Sequence, residues 1–406
     1  MLQSMNKTSA GELFSDVPEN VRLKEPLSLP AALSEPDLLK ELTSNAAKNK
    51  LSSNFLGAGS YNHFIPSVVK HLVGRSEFYT AYTPYQSEAS QGILQAIYEY
   101  QTMLCELTGM DAANASMYDG ATAMVEAAFL ACRVTGRKEI IVSSAVHPDY
   151  RKVLQTYAKG ADLNVTVLAY RPDGQSAHEA CSLQNTACFI LQQPNFFGCI
   201  EDVAGLADKI HSAGGIFIVC ADPISLGLLK APGDYGADIV VGEGQSLGNP
   251  QSFGGPGLGL FALKKAFVRQ IPGRVVGQTV DAEGKPSYCL TLQTREQHIR
   301  RERATSNICS NEALAALAAT IYLSVMGKQG LRKVAELCLQ KANFLKKKLG
   351  DKVVFASPTF KEFVIKSNYP AGLDLAKFYP ELNGCQLVCV TELTPKDALE
   401  DFARTV

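Results

Sequence analysis

Ile216-Phe217-Ile218-Val219-Cys220-Ala221-Asp222-Pro223 is the stretch on which the fold turns. Six apolar residues run without alternation, and then the chain meets an acid. A strand with one wet face alternates apolar and polar side chains; an unbroken run suits a strand buried on both faces. Working outward, Glu139–Ser144, Leu163–Tyr170, Cys188–Gln192, Ile239–Gly242 and Gly257–Leu263 also read as strands. Pro148–Lys159, Val203–Ala213 and a shorter Ser176–Leu183 read as helices among them. Such alternation predicts an α/β fold: a parallel or mixed sheet with helices on both faces.

The flanks fill in the rest. Ile93, Ile97, Tyr100, Leu104 and Leu107 are spaced four, three, four and three, a helical stripe closed by Gly109. An Ala-rich helix starts after Asp119-Gly120. Beyond Asn311, helices over 312–326 and 329–349 precede strands near 352–356, 361–366 and 385–391, and a last helix starts at Thr394-Pro395. With 406 residues, two or three domains are expected. The division read here is an arm over 1–50, a large domain over 51–310 and a small α+β domain over 311–406. The arm is polar, punctuated by Pro26, Pro30 and Pro36, and suited to packing on something else.

Composition removes several functions. Lys plus Arg is 39 against 40 for Asp plus Glu, so no basic excess serves a nucleic-acid backbone. No run of 18 uncharged apolar residues suggests a membrane span, and no signal peptide is expected at Met1. The 11 cysteines include no C-x-x-C pair, and the six histidines form no H-x₃-H pair, so no metal site is expected. An odd number in such a chain argues against a disulfide framework. Most read as buried, reduced hydrophobes, which points to a reducing compartment, most simply the cytoplasm.

In open α/β sheets, ligands bind outside the carboxyl ends of the strands. The candidate loops there are Tyr118-Asp119-Gly120-Ala121-Thr122-Ala123, His147-Pro148-Asp149, Gln193-Pro194-Asn195 and Asp222-Pro223. The first opens a helix whose free N–H groups suit an anion, although any capped helix start looks similar. His147 suits ring stacking or acid–base work, or an ordinary loop position. Asp222 at the end of a buried strand is costly unless it meets a cation. The run Phe253–Gly259 precedes a strand, so it is not a dinucleotide fingerprint, which opens a helix; a nicotinamide oxidoreductase fits poorly. Thr80-Ala81-Tyr82-Thr83-Pro84-Tyr85-Gln86 gathers tyrosines in a turn, for packing or for a ligand. Arg300–Asn307 is either a solvated charge run or an anion site.

In order, these loops resemble the large domain of fold type I pyridoxal-phosphate enzymes, the aspartate aminotransferase-like fold. More narrowly, Asn54–Tyr61, Thr80–Gln91, Tyr118–Ala123, Phe253–Gly259 and Arg301–Cys309 resemble subunit 1 of the bacterial two-subunit glycine decarboxylase, the P-protein of the glycine cleavage system. The likeness runs from about residue 10 to the end. Chains of that family usually begin some tens of residues earlier, so Met1 is expected to be an internal or mis-assigned start, and the C-terminus is expected to be somewhat short.

The resemblance implies that the first loop holds the cofactor phosphate, an aromatic or His stacks on the ring, and the Asp pairs with the pyridinium. It also implies a Schiff-base lysine in the turn before the Gly-rich strand. Between Lys230 and Lys264 there is no lysine; Gln245 or Ser246 stands in its place, and neither forms an aldimine. The expectation is therefore a subunit without its own pyridoxal phosphate. The partner, glycine decarboxylase subunit 2, binds the cofactor covalently in an α₂β₂ assembly that acts on glycine and on the lipoylated H-protein. Tyr82, Tyr85 and Gln86 are expected near the partner's substrate, and Thr305 and Ser306 near its cofactor phosphate. Tyr118, Asp119, Thr122, His147, Asn195 and Asp222 are expected to mark a vestigial cleft. Two other readings stay open: an autonomous enzyme holding the cofactor noncovalently, and a scaffold that touches no ligand.

Overall fold

The computed structural model describes residues 1–50 and 52–406. Two compact units divide the chain, Met1–Ser52 and Ser53–Val406. In the first, α1 (Glu35–Ala46) is capped by Ser34, whose hydroxyl accepts from the Asp37 N–H, and carries Pro in its first turn. Leu38, Leu39 and Leu42 on this helix are exposed.

The second unit holds α2 (Ser67–Val73), α3 (Ser76–Tyr79), α4 (Gln91–Thr108), β1 (Ala112–Ala113), α5 (Gly120–Thr135), β2 (Glu139–Ser143), α6 (Pro148–Gly160) and β3 (Asn164–Leu168). Then come β4 (Thr186–Gln193), α7 (Leu206–Ser212), β5 (Ile216–Ala221), β6 (Ile239–Glu243), β7 (Gly259–Leu263), β8 (Val275–Val280), β9 (Pro286–Thr291) and α8 (Gln297–Arg300). The chain ends with α9 (Ala313–Leu349), β10 (Glu362–Lys366), β11 (Leu373–Asp374), β12 (Cys385–Cys389) and α10 (Lys396–Thr405).

The main sheet runs β1-β7-β6-β5-β4-β2-β3. Strands β3, β2, β4, β5 and β6 are parallel; β7 is antiparallel to β6 and to β1. β5 is buried at every position, as its unbroken apolar run requires. The core lies on both faces of the sheet, around Phe189, Phe217 and Leu260 on one side and Ile190, Ile218 and Phe261 on the other. A three-stranded antiparallel sheet, β10-β12-β11, and a hairpin, β8-β9, complete the unit.

Some elements differ from the sequence reading. Ser176–Leu183 holds only a one-turn 3₁₀ helix at His178–Ala180. Its neighbourhood is fixed by polar contacts instead: the Ser176 N–H donates to Glu201 at 2.9 Å, and Arg171 pairs with Glu179 at 2.6 Å. Residues 352–356 form no strand, only a bridge between Val353 and Ile365. α9 breaks at Gly327, φ 57°, between the two helices read from the pattern. It is long and apolar enough to cross a membrane by composition. Its apolar side chains Ala315, Ala316, Ala319 and Tyr322 are buried in the core, which accounts for that composition.

Candidate functional site

The carboxyl ends of β2, β4, β5 and β6 meet the N-termini of α5 and α6, where a cofactor cleft is expected. Asp119 caps α5: its carboxylate accepts from the Thr122 N–H at 2.8 Å, while the Asp119 N–H donates to the Thr122 hydroxyl at 3.3 Å. The anion seat at this helix end is filled from within. Glu243, the last residue of β6, accepts from the Gly120 N–H at 3.1 Å, the Gln245 N–H at 2.9 Å and the Leu258 N–H at 2.8 Å. Burial lifts the Glu243 carboxyl to about 7, against the pull of those three donors. Position 120 must be glycine here: a Cβ would lie 2.2 Å from the Tyr150 hydroxyl and 2.9 Å from the Glu243 nitrogen.

The ring position is filled too. His147 stacks on Tyr150, with centroids 4.9 Å apart, and meets the edge of Phe196. Its Nδ1 accepts from the Asp149 N–H at 3.1 Å, so Nε2 carries the proton and donates to the Ala58 carbonyl at 2.9 Å. Burial lowers the His147 pKa and keeps the ring neutral. Asp222 has found its cation in Lys361, 2.8 Å away. The Lys361 ammonium also lies 3.5 Å from the Tyr61 ring centroid and donates to His63 Nε2 at 3.2 Å. Burial opposes its charge, but Asp222 overcomes this and raises the Lys361 pKa.

Gln245 stands in the turn where a Schiff-base lysine is implied, and it grips a loop. It accepts from the Tyr61 N–H at 2.9 Å and donates to the Tyr61 carbonyl at 3.1 Å and to the Asn249 carbonyl at 2.6 Å. Glu362 holds the same loop through the Ala58 N–H at 2.6 Å and the Tyr61 hydroxyl at 2.7 Å. About 40 Å³ remains in the cleft, room for little more than one water. Pyridoxal phosphate does not fit: the amine is missing, and a carboxylate, a tyrosine and an ammonium stand where phosphate, ring and pyridinium would be.

The structure brings Asp119, His147 and Asp222 around this cleft but not all the expected residues. Asn195 is buried in the turn after β4, donating to the Gly174 carbonyl and to Glu201 and accepting from the Phe197 and Cys199 N–H groups. It shapes that turn. Thr122 serves the cap. The Tyr118 hydroxyl accepts from the Cys309 N–H at 3.3 Å, which ties the first loop to the Thr305–Cys309 segment. Ser246 is buried. The Thr305 N–H donates to the Arg295 carbonyl, and the Ser306 hydroxyl accepts from the Ile308 N–H. Lys361, Glu243, Tyr61 and Glu362 were not singled out from sequence. The only signal toward Lys361 was the need of Asp222 for a cation.

His63, Cys338 and Glu392 present ligand atoms within 4.8 Å of one another. His63 Nδ1 donates to Glu392 at 2.7 Å and Nε2 accepts from Lys361. With both ring nitrogens engaged and an ammonium adjacent, the group is a hydrogen-bond network rather than a metal seat. Burial pushes the Cys132 thiol up to about 11 and the Cys199 thiol to about 12, which makes both inert.

A second region is open. Tyr82, 80% exposed, lies beside a cavity of about 220 Å³ between the tyrosine turn, α4 and the start of α9. Tyr85 and Gln86 are exposed on the same turn. The Tyr85 hydroxyl accepts from Arg274 at 3.0 Å.

Comparison with known proteins agrees with this architecture. The family profile described as "Glycine cleavage system P-protein" matches residues 1–378. A relative from Desulforamulus reducens, described as "Probable glycine dehydrogenase (decarboxylating) subunit 1", is 52% identical over 99% of this chain and 96% of its own. A crystal structure of glycine decarboxylase (P-protein) of the glycine cleavage system, in inhibitor-bound form, superposes with a TM-score of 0.87. It is 42% identical and is covered over 96% of its chain by 100% of this one. Glutamate decarboxylase from Lactobacillus brevis, 12% identical, shares the fold with a TM-score of 0.66, over 97% of this chain and 96% of that one. The fold is that of fold type I pyridoxal-phosphate enzymes.

Proposed function

The chain belongs to the glycine cleavage system P-protein family, and from that premise we propose that it is the subunit of glycine decarboxylase that carries no cofactor and completes a partner's site. The carrying observation is the internally filled cleft, with Glu243 seated on the N-terminus of α5 and Lys361 on Asp222. The assembled enzyme, an α₂β₂ complex with glycine decarboxylase subunit 2, releases CO₂ from glycine and passes the aminomethyl group to the lipoyl arm of the H-protein. Subunit 2 supplies the covalently held pyridoxal phosphate. In this subunit Tyr82, Tyr85 and Gln86 face the partner's substrate, and Thr305 and Ser306 lie toward its cofactor phosphate. The exposure of Tyr82 and Tyr85 beside an open cavity supports that placement. A large domain over 51–310 and a small one over 311–406 suit the separate β10-β12-β11 sheet. The buried thiols suit a reducing compartment, the cytoplasm.

The test is reconstitution. Glycine-dependent exchange of CO₂ should require both subunits and the H-protein. Robust exchange by this chain alone with added pyridoxal phosphate would overturn the proposal. A pure scaffold is separated by Tyr82→Phe and Thr305→Ala in the complex: unchanged glycine kinetics in both would favour the scaffold.

A further inference from the structure

Arg274 follows Gly273 at the start of β8 and is 4% exposed. A buried guanidinium stays charged and demands a counter-charge, since an unpaired buried ion costs several kcal/mol by rough estimate. Among the described residues it has no carboxylate partner. Its neighbour is Tyr85, whose hydroxyl accepts from Nη2 and whose ring centroid is 5.5 Å from Cζ. Its Nε is buried and bonds to nothing. Tyr100, 1% exposed, ends in a buried hydroxyl that also has no partner. Both residues line the same cavity, together with Thr83, Ser310 and Asn311, and no Asp or Glu lines it.

The Arg295 Nε and the Tyr235 and Tyr322 hydroxyls are also buried without a partner among the described residues, so an unmatched atom alone marks no site; Arg274 and Tyr100 differ in lining the same cavity. A guanidinium without a counter-charge and a phenol without a partner, both in the lining of one cavity free of acids, together mark a place for an acceptor from outside. We infer that this cavity is a binding site for a small carboxylate or hydrogencarbonate anion, anchored by Arg274 and assisted by Tyr100. The planar guanidinium fork matches a planar carboxylate. At about 220 Å³, the space is smaller than drug-sized pockets of roughly 300–1,000 Å³, which limits the ligand to a few heavy atoms.

Two sources share this chemistry: the carboxylate of glycine, and hydrogencarbonate derived from the CO₂ released. They separate on energetic grounds. An arginine that grips a departing carboxylate stabilises the ground state more than the transition state. With glycine as occupant, Arg274→Gln would raise KM for glycine without lowering kcat. With hydrogencarbonate as occupant, the same variant would leave KM for glycine alone and slow exchange at limiting hydrogencarbonate. The inference itself does not depend on the subunit assignment.

The deciding experiment titrates the full-length isolated chain with acetate, glycine and hydrogencarbonate by calorimetry, with ethanolammonium chloride as the cationic control. Acetate should bind and ethanolammonium should not, while glycine, a zwitterion with a free carboxylate, and hydrogencarbonate report which source the site accepts. Arg274→Gln should weaken acetate by about tenfold or more, as expected for loss of a charge-assisted pair. Tyr100→Phe removes a hydroxyl that bonds to nothing among the described residues, so folding should be unharmed and acetate binding still weaker by a few-fold. Acetate binding unchanged in folded Tyr100→Phe and Arg274→Gln would overturn the site, as would ethanolammonium binding as well as acetate, or no anion binding by the wild-type chain. If the site binds acetate while neither KM for glycine nor hydrogencarbonate dependence moves in the reconstituted enzyme, both named sources fall.

Discussion

Two polar regions of this subunit have opposite states. In the cleft at the ends of β2, β4, β5 and β6, polar groups are answered internally: Glu243 by three N–H groups, Asp222 by Lys361, His147 by the Ala58 carbonyl. In the cavity beside the tyrosine turn, a buried guanidinium has no carboxylate partner among the described residues and a buried phenol has no hydrogen-bond partner. Both regions lie on one fold built for a cofactor. A charge left open in a folded protein is expensive, so a region that closes on itself has ceased to need a ligand. One that stays open still has use for one.

Breaking the closed region should have the largest effect. Lys361→Met leaves Asp222 uncompensated and removes a donor from His63, and should cost about 3–5 kcal/mol. Chemical denaturation at neutral pH measures it, and Lys361→Met combined with Asp222→Asn should recover much of the loss. A single-variant cost below about 1 kcal/mol would mean the pair is effectively solvated and the cleft is not closed.

The next effect is in pH. Glu243 titrates near 7 in the fold against an ordinary value of 4.5, so the folded chain holds the proton more tightly than the unfolded chain. Its contribution is full below about 4.5 and is lost as pH rises through about 7, a decline of about 3 kcal/mol at most. Melting temperature in wild type should therefore fall more between pH 5 and pH 8 than in Glu243→Gln. Parallel profiles would place the carboxylate in water.

How much of this contrast was legible beforehand varies with sequence distance. β5 was readable to the residue because six apolar side chains in a row admit few other structures. Asp222 announced that it needed a cation, but Lys361, the residue before β10, comes 139 positions later, and no local pattern links them. Glu243 lies beside the turn that lacks the lysine, yet its role depends on Gly120 and Leu258 arriving beside it. The β8-β9 hairpin was missed because Gly277, Gln278 and Pro286 interrupt its apolar pattern, leaving Glu283-Gly284 as a weak turn signal. Ser176–Leu183 looked helical because its anchor, Glu201, lies far along the chain.

The open region should respond in binding rather than in stability. Tyr85→Phe removes the acceptor that Arg274 donates to, on an exposed side chain, so folding should change by less than about 1 kcal/mol. With one partner fewer, Arg274 becomes more available. Acetate affinity of the isolated chain should rise modestly, and not fall, whereas glycine turnover in the complex should fall if the Tyr85 hydroxyl also faces the partner's substrate. A fall in acetate affinity would make Tyr85 part of the anion site and not a surrogate for the anion.

The smallest expected effect is the sharpest on the closed region. Gln245→Lys restores an amine to the turn where the family's catalytic relatives are implied to carry one. Were the missing lysine the only reason this chain holds no cofactor, the variant with pyridoxal phosphate would form an adduct at residue 245 that borohydride fixes. The seat for the phosphate is occupied by Glu243, however, and only about 40 Å³ is left for a ring. The substitution also releases the grip of Gln245 on Tyr61 without evicting Glu243 or Tyr150. No labelled peptide containing residue 245 should appear after reduction and digestion. Labelling there at a stoichiometry near that of a functional site would show the seat to be vacated easily. The distinction between a closed cleft and an open cavity would then reduce to one side chain.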